Sequence, residues 1–251
     1  MGNRINRLAA VGALIGGLSA VGCDAVLDQT AEDLDLAITE STATVVADAV
    51  IRDLGHMYFG GGGMMGDFES SSAMTTTVST TRTVTFFDAD GLEQGEFDPV
   101  TTASIHIHVV SEGSADRNGW SGEFSRERDM VVSGLEGTET SRVWNGTGNA
   151  SVVRSSQSDE FGTRTFDMTM DMTMEDVTRG LPRTEFPWPL SGTITRHVVV
   201  QIVNGPNGNE TRELTVIVEF NGTQFASMTV NGETFDLDLA ARQGERAHRN
   251  R

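Results

Sequence analysis

The chain has 251 residues, of which 18 are basic, 36 acidic and five histidine, for a formal charge of −18. All the basic residues are arginine. A surface this acidic excludes electrostatic docking on nucleic acid or on anionic lipid. With one cysteine there can be no internal disulfide, and 37% hydrophobic residues beside 28 glycines point to a modest, thin core.

The chain opens with Arg4 and Arg7, followed by an uncharged apolar run over Leu8–Ala20 and then Ala20-Val21-Gly22-Cys23. A charged start, a short apolar middle and a small-residue cut site make a secretory signal. The run from Leu8 to Gly22 is shorter than the ~20 apolar residues of a membrane span. The segment resembles the lipobox signal of bacterial lipoproteins, with Ala20 where that family usually has Leu. The resemblance covers residues 1–23 only. It implies cleavage after Gly22 and lipidation of Cys23, with palmitate-type acyl chains on the new N-terminus. The protein would then be tethered to a membrane of the cell envelope, inner or outer, periplasmic or surface-exposed. Ala-x-Gly before the cut also suits an ordinary signal peptidase, which would leave Cys23 as a free thiol. Loss of residues 1–22 removes two arginines and no acid, so 16 basic residues face 36 acids and the mature charge is −20. Attachment would therefore rest on the acyl chains, at ~0.8 kcal/mol per buried CH₂.

Residues 23–73 form an anchor, a helical segment and a linker. Over Asp24–Leu54 the apolar residues Val26, Leu27, Leu34, Ile38, Val45, Val46, Ala49, Val50 and Leu54 recur at roughly three- and four-residue spacing. Thr39–Thr44 interrupts the pattern with hydroxyl residues, which predicts one or two short helices. Gly60–Gly63 and Ser70–Ser72 then carry no pattern and read as a flexible linker.

From Met74 to Leu239 the period becomes two. Val84 and Phe86 alternate with polar residues, Ile105, Ile107 and Val109 alternate with His106 and His108, and Met130 and Val132 follow more weakly. Phe166, Met168, Met170, Met172 and Met174 take one face of a strand, with Asp167, Thr169 and Asp171 on the other. Val198–Ile202, Val216–Phe220, Met228–Val230 and Phe235–Leu239 close the series. Such alternation marks antiparallel strands with one dry and one wet face. Asn204-Gly205-Pro206-Asn207-Gly208, Asn221-Gly222 and Asn231-Gly232 supply left-handed turn positions. The expected fold over 74–239 is mainly β, a long-stranded antiparallel meander of seven to ten strands forming an open or closed curved sheet or barrel. Gly122, Gly146 and Gly192 follow closely on Trp120, Trp144 and Trp188, and Phe220 and Gly222 are a fourth aromatic version; the steps read as bend or turn devices. Residues 240–251, with Arg242, Arg246, Arg249 and Arg251, read as a disordered tail.

Three patterns could carry chemistry. Met168, Met170, Met172 and Met174 project four thioethers from one strand face, which suits a core, the lining of a hydrophobic-ligand cavity, or soft coordination of Cu(I). Met-rich stretches of this kind resemble those of some periplasmic copper proteins. His106-x-His108 has a spacing used by zinc and copper sites, with His197 as a third ligand only if its strand is a neighbour. Asp88-Ala89-Asp90-Gly91 resembles the first half of a calcium loop and equally makes a hairpin turn. No catalytic motif is present, neither Gly-x-Ser-x-Gly, His-Glu-x-x-His nor a phosphate loop, and the chain does not read as an enzyme. The sequence thus points to an envelope lipoprotein without cofactors. Its β module would bind a hydrophobic small molecule or an envelope partner, or serve as a filled structural domain, or handle copper. The overall shape is similar to that of periplasmic lipoprotein carriers, by analogy of fold alone.

Overall fold

The computed structural model describes residues 75–117, 120–158, 162–205, 208–241 and 247–249, together with Ala43, Val46, Ala47, Val50 and Leu54. Period-two alternation becomes one antiparallel sheet. Its strands are β1 (Thr75–Asp88), β2 (Glu93–Gln94), β3 (Thr102–Arg117), β4 (Trp120–Ser133), β5 (Ser141–Ser158), β6 (Gly162–Gly180), β7 (Pro189–Gly205), β8 (Gly208–Glu219), β9 (Phe225–Val230), β10 (Glu233–Asp238) and β11 (Ala247–Arg249). They lie in the order β11-β10-β9-β8-β7-β6-β5-β4-β3-β1-β2, a meander whose two edges are not hydrogen-bonded to each other. The sheet is therefore open. It has 11 strands where the periodicity predicted seven to ten, because β2 and β11 are two and three residues long and too short to show alternation. The tail over 240–251, expected to be disordered, supplies β11. The exposed edge of β10 offers unpaired backbone groups, and Phe235, Asp236 and Leu237 pair with Arg249, His248 and Ala247.

The methionine strand β6 runs for 19 residues. At ~3.3 Å per residue this is about three times the usual strand. Two devices let so long a ladder change direction. Beside β6 the register shifts between Glu175 and Thr178, where Asp176 has φ 49°. Gly192 faces that bulge with φ 104°, and a Cβ there would stand 2.5 Å from the Asp176 carbonyl oxygen. Across from β5 a second shift lies between Trp144 and Gly146. Two of the aromatic-glycine steps thus coincide with irregularities, whereas Gly122 sits in regular pairing with Ala115 and Arg154.

Turn chemistry closes the meander. Between β9 and β10, Asn231 (φ 47°) and Gly232 (φ 90°) make a two-residue hairpin. Asn231 Oδ1 accepts from the Thr215 amide at 2.8 Å and its Nδ2 donates to the Glu213 carbonyl at 3.2 Å, tying the turn to β8. Alanine at this position loses both bonds and tolerates the left-handed backbone poorly. Asn231→Ala is expected to cost about 1–2 kcal/mol in urea denaturation with an unchanged slope.

One face of the sheet is buried. Its core includes Ile105, Ile107, Val132, Trp144, Met172, Met174, Val177, Ile194, Val216, Val218, Met228, Phe235 and Leu237. Ala43, Val46, Ala47, Val50 and Leu54 belong to the same cluster; each has helical backbone, and their spacing of three or four residues is that of one helix face. The rest of the expected helical segment Asp24–Leu54, the glycine-rich linker and Cys23 lie outside the described residues.

Candidate functional site

Because directly paired residues share a face, the register lays out the inward surface row by row. At the level of Met174 the row is Val84, Ile107, Met130, Gly146, Met174, Ile194, Val218, Met228 and Phe235. It is apolar throughout and almost wholly buried. Three steps along β6, at Met168, the row is Val78, Gly113, Phe124, Val152, Met168, Val200 and Arg212. One step further it includes Gly122, Arg154, Phe166, Ile202 and Glu210.

Burial falls along this direction. Met170, Met172 and Met174 are buried, while Met168, Val200, Phe124, Val152, Phe166 and Ile202 are half-buried, Met168 and Val200 packing against the core cluster. On β1, Val78 reaches 39% exposure. The same face that forms a closed core at one end of the strands therefore presents partly uncovered aromatic and aliphatic side chains at the other. That end is the candidate site.

Charge is partitioned between the two faces. Arg82 on β1, Arg126 and Arg128 on β4, Arg142 and Arg154 on β5, Arg164 and Arg179 on β6, Arg196 on β7 and Arg212 on β8 all stand at inward parity. Glu123, Glu127 and Asp129 on β4, Asp167, Asp171 and Glu175 on β6, and Glu213 and Glu219 on β8 take the opposite parity. Carboxylates at inward parity on the described strands include Asp88, Glu210 and Glu233. Glu210 Oε2 accepts from Arg212 Nη2 at 3.1 Å.

Several inward guanidinium groups donate to neutral acceptors. Arg128 Nη1 donates to the carbonyls of Glu127 (2.8 Å) and Asn149 (3.1 Å). It lies across Gly148, where a Cβ would stand 2.5 Å from Arg128 Cδ and Nη1, so only glycine lets the side chain pass over β5. Arg196 is 1% exposed and its Nη1 donates to the Met170 thioether at 3.1 Å. At the other end of β6, beyond Phe166, Arg164 Nε donates to the Asn204 carbonyl at 3.0 Å.

The structure brings the four methionines into line as expected, three of them packed in the core and one at its margin. The Met170 sulfur faces a cation rather than an open coordination position. His106 and His108 lie on the outward face of β3. His106 Nε2 is 2.6 Å from Asp129 Oδ1, and His108 stands between Glu127 (3.6 Å) and Asp129 (3.5 Å). His197 is on β7, with three strands between it and β3, so it does not join them. Among the described residues no group of three His, Cys, Asp or Glu side chains is placed to hold a metal ion. Asp88 Oδ1 accepts from the amides of Asp90 (3.0 Å) and Leu92 (2.8 Å), the bonding of a capped hairpin turn. Among the described residues no helix is long and apolar enough to cross a membrane.

The fold and site define an open antiparallel β-meander with a half-covered, arginine-bearing apolar face. Comparison with known proteins gave no matching family model, no matching curated protein and no matching solved structure. The inward arginines went unnoticed in the periodicity, although a signal was there: Arg126, Arg128, Arg154, Arg164 and Arg196 stand two residues from an apolar position of the same face.

Proposed function

We propose that this is an exported, envelope-tethered, non-catalytic module that binds a hydrophobic ligand on the inward face of its sheet, with Cys23 as the acylated anchor. One observation carries the binding reading. Phe124, Val152, Phe166 and Ile202 share a face with a closed core yet are only half-buried. Burying such surface against a ligand contributes ~25 cal/mol per Å², and large apolar side chains left partly uncovered can take part in ligand binding. Met168, at the margin of the core, supplies an adaptable wall for chains of varied shape. The buried helical positions Ala43, Val46, Ala47, Val50 and Leu54 belong to the same core cluster as Met170, Met172 and Met174.

A second reading, a filled structural domain without ligand, draws on the close burial of Met170, Met172 and Met174. Native mass spectrometry of the mature protein purified from envelopes separates the two. A discrete bound lipid or other apolar molecule is expected; a bare polypeptide mass, apart from acylation of Cys23, favours the filled domain.

A further inference from the structure

We propose that the open edge of β1 pairs with the same edge of a second copy of this chain, antiparallel, about a two-fold axis at Thr81, so that two sheets become one. This stands apart from ligand binding and does not depend on it. Among the described residues, β2 pairs with Phe86 and Phe87 on the side of β1 away from β3, and none pairs there over 75–85. Residues 77–83 are exposed, on both faces of the strand. Backbone direction decides which groups the edge offers. Asp88 N donates to the Leu92 carbonyl at 3.0 Å and the Asp88 carbonyl accepts from Gly91 N at 3.1 Å, so the backbone groups of Asp88 point to the β2 side. Alternation along an antiparallel strand carries that direction to Val84, Arg82, Thr80 and Val78. Their N–H and C=O groups point away from β3 and form a template for another strand.

Charge and register select a second copy as the occupant. A chain of formal charge −18 repels its own kind over most of its surface, yet residues 75–87 hold no carboxylate, no proline and a single arginine, Arg82. The outer side of β8 is different. Beyond its pairing with β9 over 216–219 it carries Glu210, Arg212 and Glu213, the charged guard that natural sheets set on an edge. Pairing β1 with itself about Thr81 then matches the strand position by position. On the outward face Thr77 meets Thr85 and Ser79 meets Thr83, while on the inward face Val78 meets Val84. Hydroxyl pairs and β-branched apolar pairs are favourable across strands. Arg82 meets Thr80 instead of its own copy. Moving the axis one residue would set Val78 against Arg82, or Arg82 against itself. The register also brings the backbone groups of 78 and 80 opposite those of 84 and 82, all of which face the edge. It ends at Thr85, where β2 begins. Val78, 39% exposed on the inward face, gains an apolar neighbour. One strand pair buries less than the ~1,200 Å² of a standard interface, so the dimer forms only at raised concentration.

The test is sedimentation equilibrium of the mature protein carrying Cys23→Ser, so that neither acyl chains nor a disulfide through Cys23 joins two copies. Between about 1 and 300 µM the mass is expected to rise from one chain to two. Thr80→Pro removes an amide from the open edge and leaves the pairing with β3 in place, so it should stay monomeric with an unchanged circular dichroism spectrum. Thr81→Lys, which sets two charges face to face at the axis, should do the same with the backbone untouched. Cysteine substitution reads the register. Non-hydrogen-bonded partners of an antiparallel pair stand ~4.5 Å apart at Cα, within disulfide reach, so Thr81→Cys should yield a cross-linked dimer on mild oxidation. Ser79→Cys should not, because its two copies lie beyond the ~7 Å limit. A single-chain mass at every concentration overturns the proposal. So does a dimer that survives both Thr80→Pro and Thr81→Lys, or one that cross-links through residue 79 as readily as through 81.

Discussion

Met174→Asp is expected to leave no folded sheet at neutral pH. Met174 is buried in the row that runs from Val84 to Phe235, pairs across β6 with Gly146 and Ile194, and has apolar neighbours in every direction. Removing the side chain forfeits ~1.5–3 kcal/mol of burial. A carboxylate in its place costs several kcal/mol more, whether it stays ionised or is driven to protonate. The sum approaches the whole stability of a domain, ~5–15 kcal/mol. Circular dichroism of the purified variant is the check, with Met174→Leu as the control that should lose less than about 1.5 kcal/mol. A Met174→Asp protein with native melting would mean that the inner face is wet at this level.

Trp144→Ala should be the largest effect of any truncation. Trp144 is 0% exposed and sits between Val132 on β4 and Val177 on β6, beside the register shift at Gly146. It fills the space where the ladder bends, and neither neighbouring strand can close in without breaking its own pairing. Large-to-small changes at such sites cost ~3–5 kcal/mol. In a domain of this size that lowers the melting temperature by roughly 10 °C. Trp144→Phe, which keeps an aromatic ring against the bend, should recover about half of the loss. A drop of only a degree or two would show that the site collapses freely, contrary to a close-packed end.

The two expectations rest on features of different legibility. That 168, 170, 172 and 174 share a face followed from alternation alone, since side chains on a strand repeat every two residues. The same held for Ile105–Val109, Val198–Ile202 and Val216–Phe220, and it was enough to read a meander. The strand that Trp144 belongs to was not read, because its inward positions after Trp144 are Gly146, Gly148 and Ala150, which carry no apolar signal. Their smallness has a reason that lies across the strand: Met130 and Arg128 on β4 lean over them. Neighbours brought together by pairing cannot be seen along the chain. The arginines were missed for a related cause. Polar residues are expected outward, whereas here Arg196 shares a face with Val198 and Ile194 and finds Met170 on the next strand. The histidine pair lies on the outward face of β3, and the fold separates it from His197.

Ligand binding at the half-covered end, the central proposal, is most directly tested by titrating the mature protein with N-phenyl-1-naphthylamine and following its fluorescence, in parallel with the variant Phe166→Asp. Saturable enhancement in the native protein and its loss in the variant, at an unchanged melting temperature, is the predicted result. No saturable enhancement in the native protein, or equal enhancement in both, would contradict it.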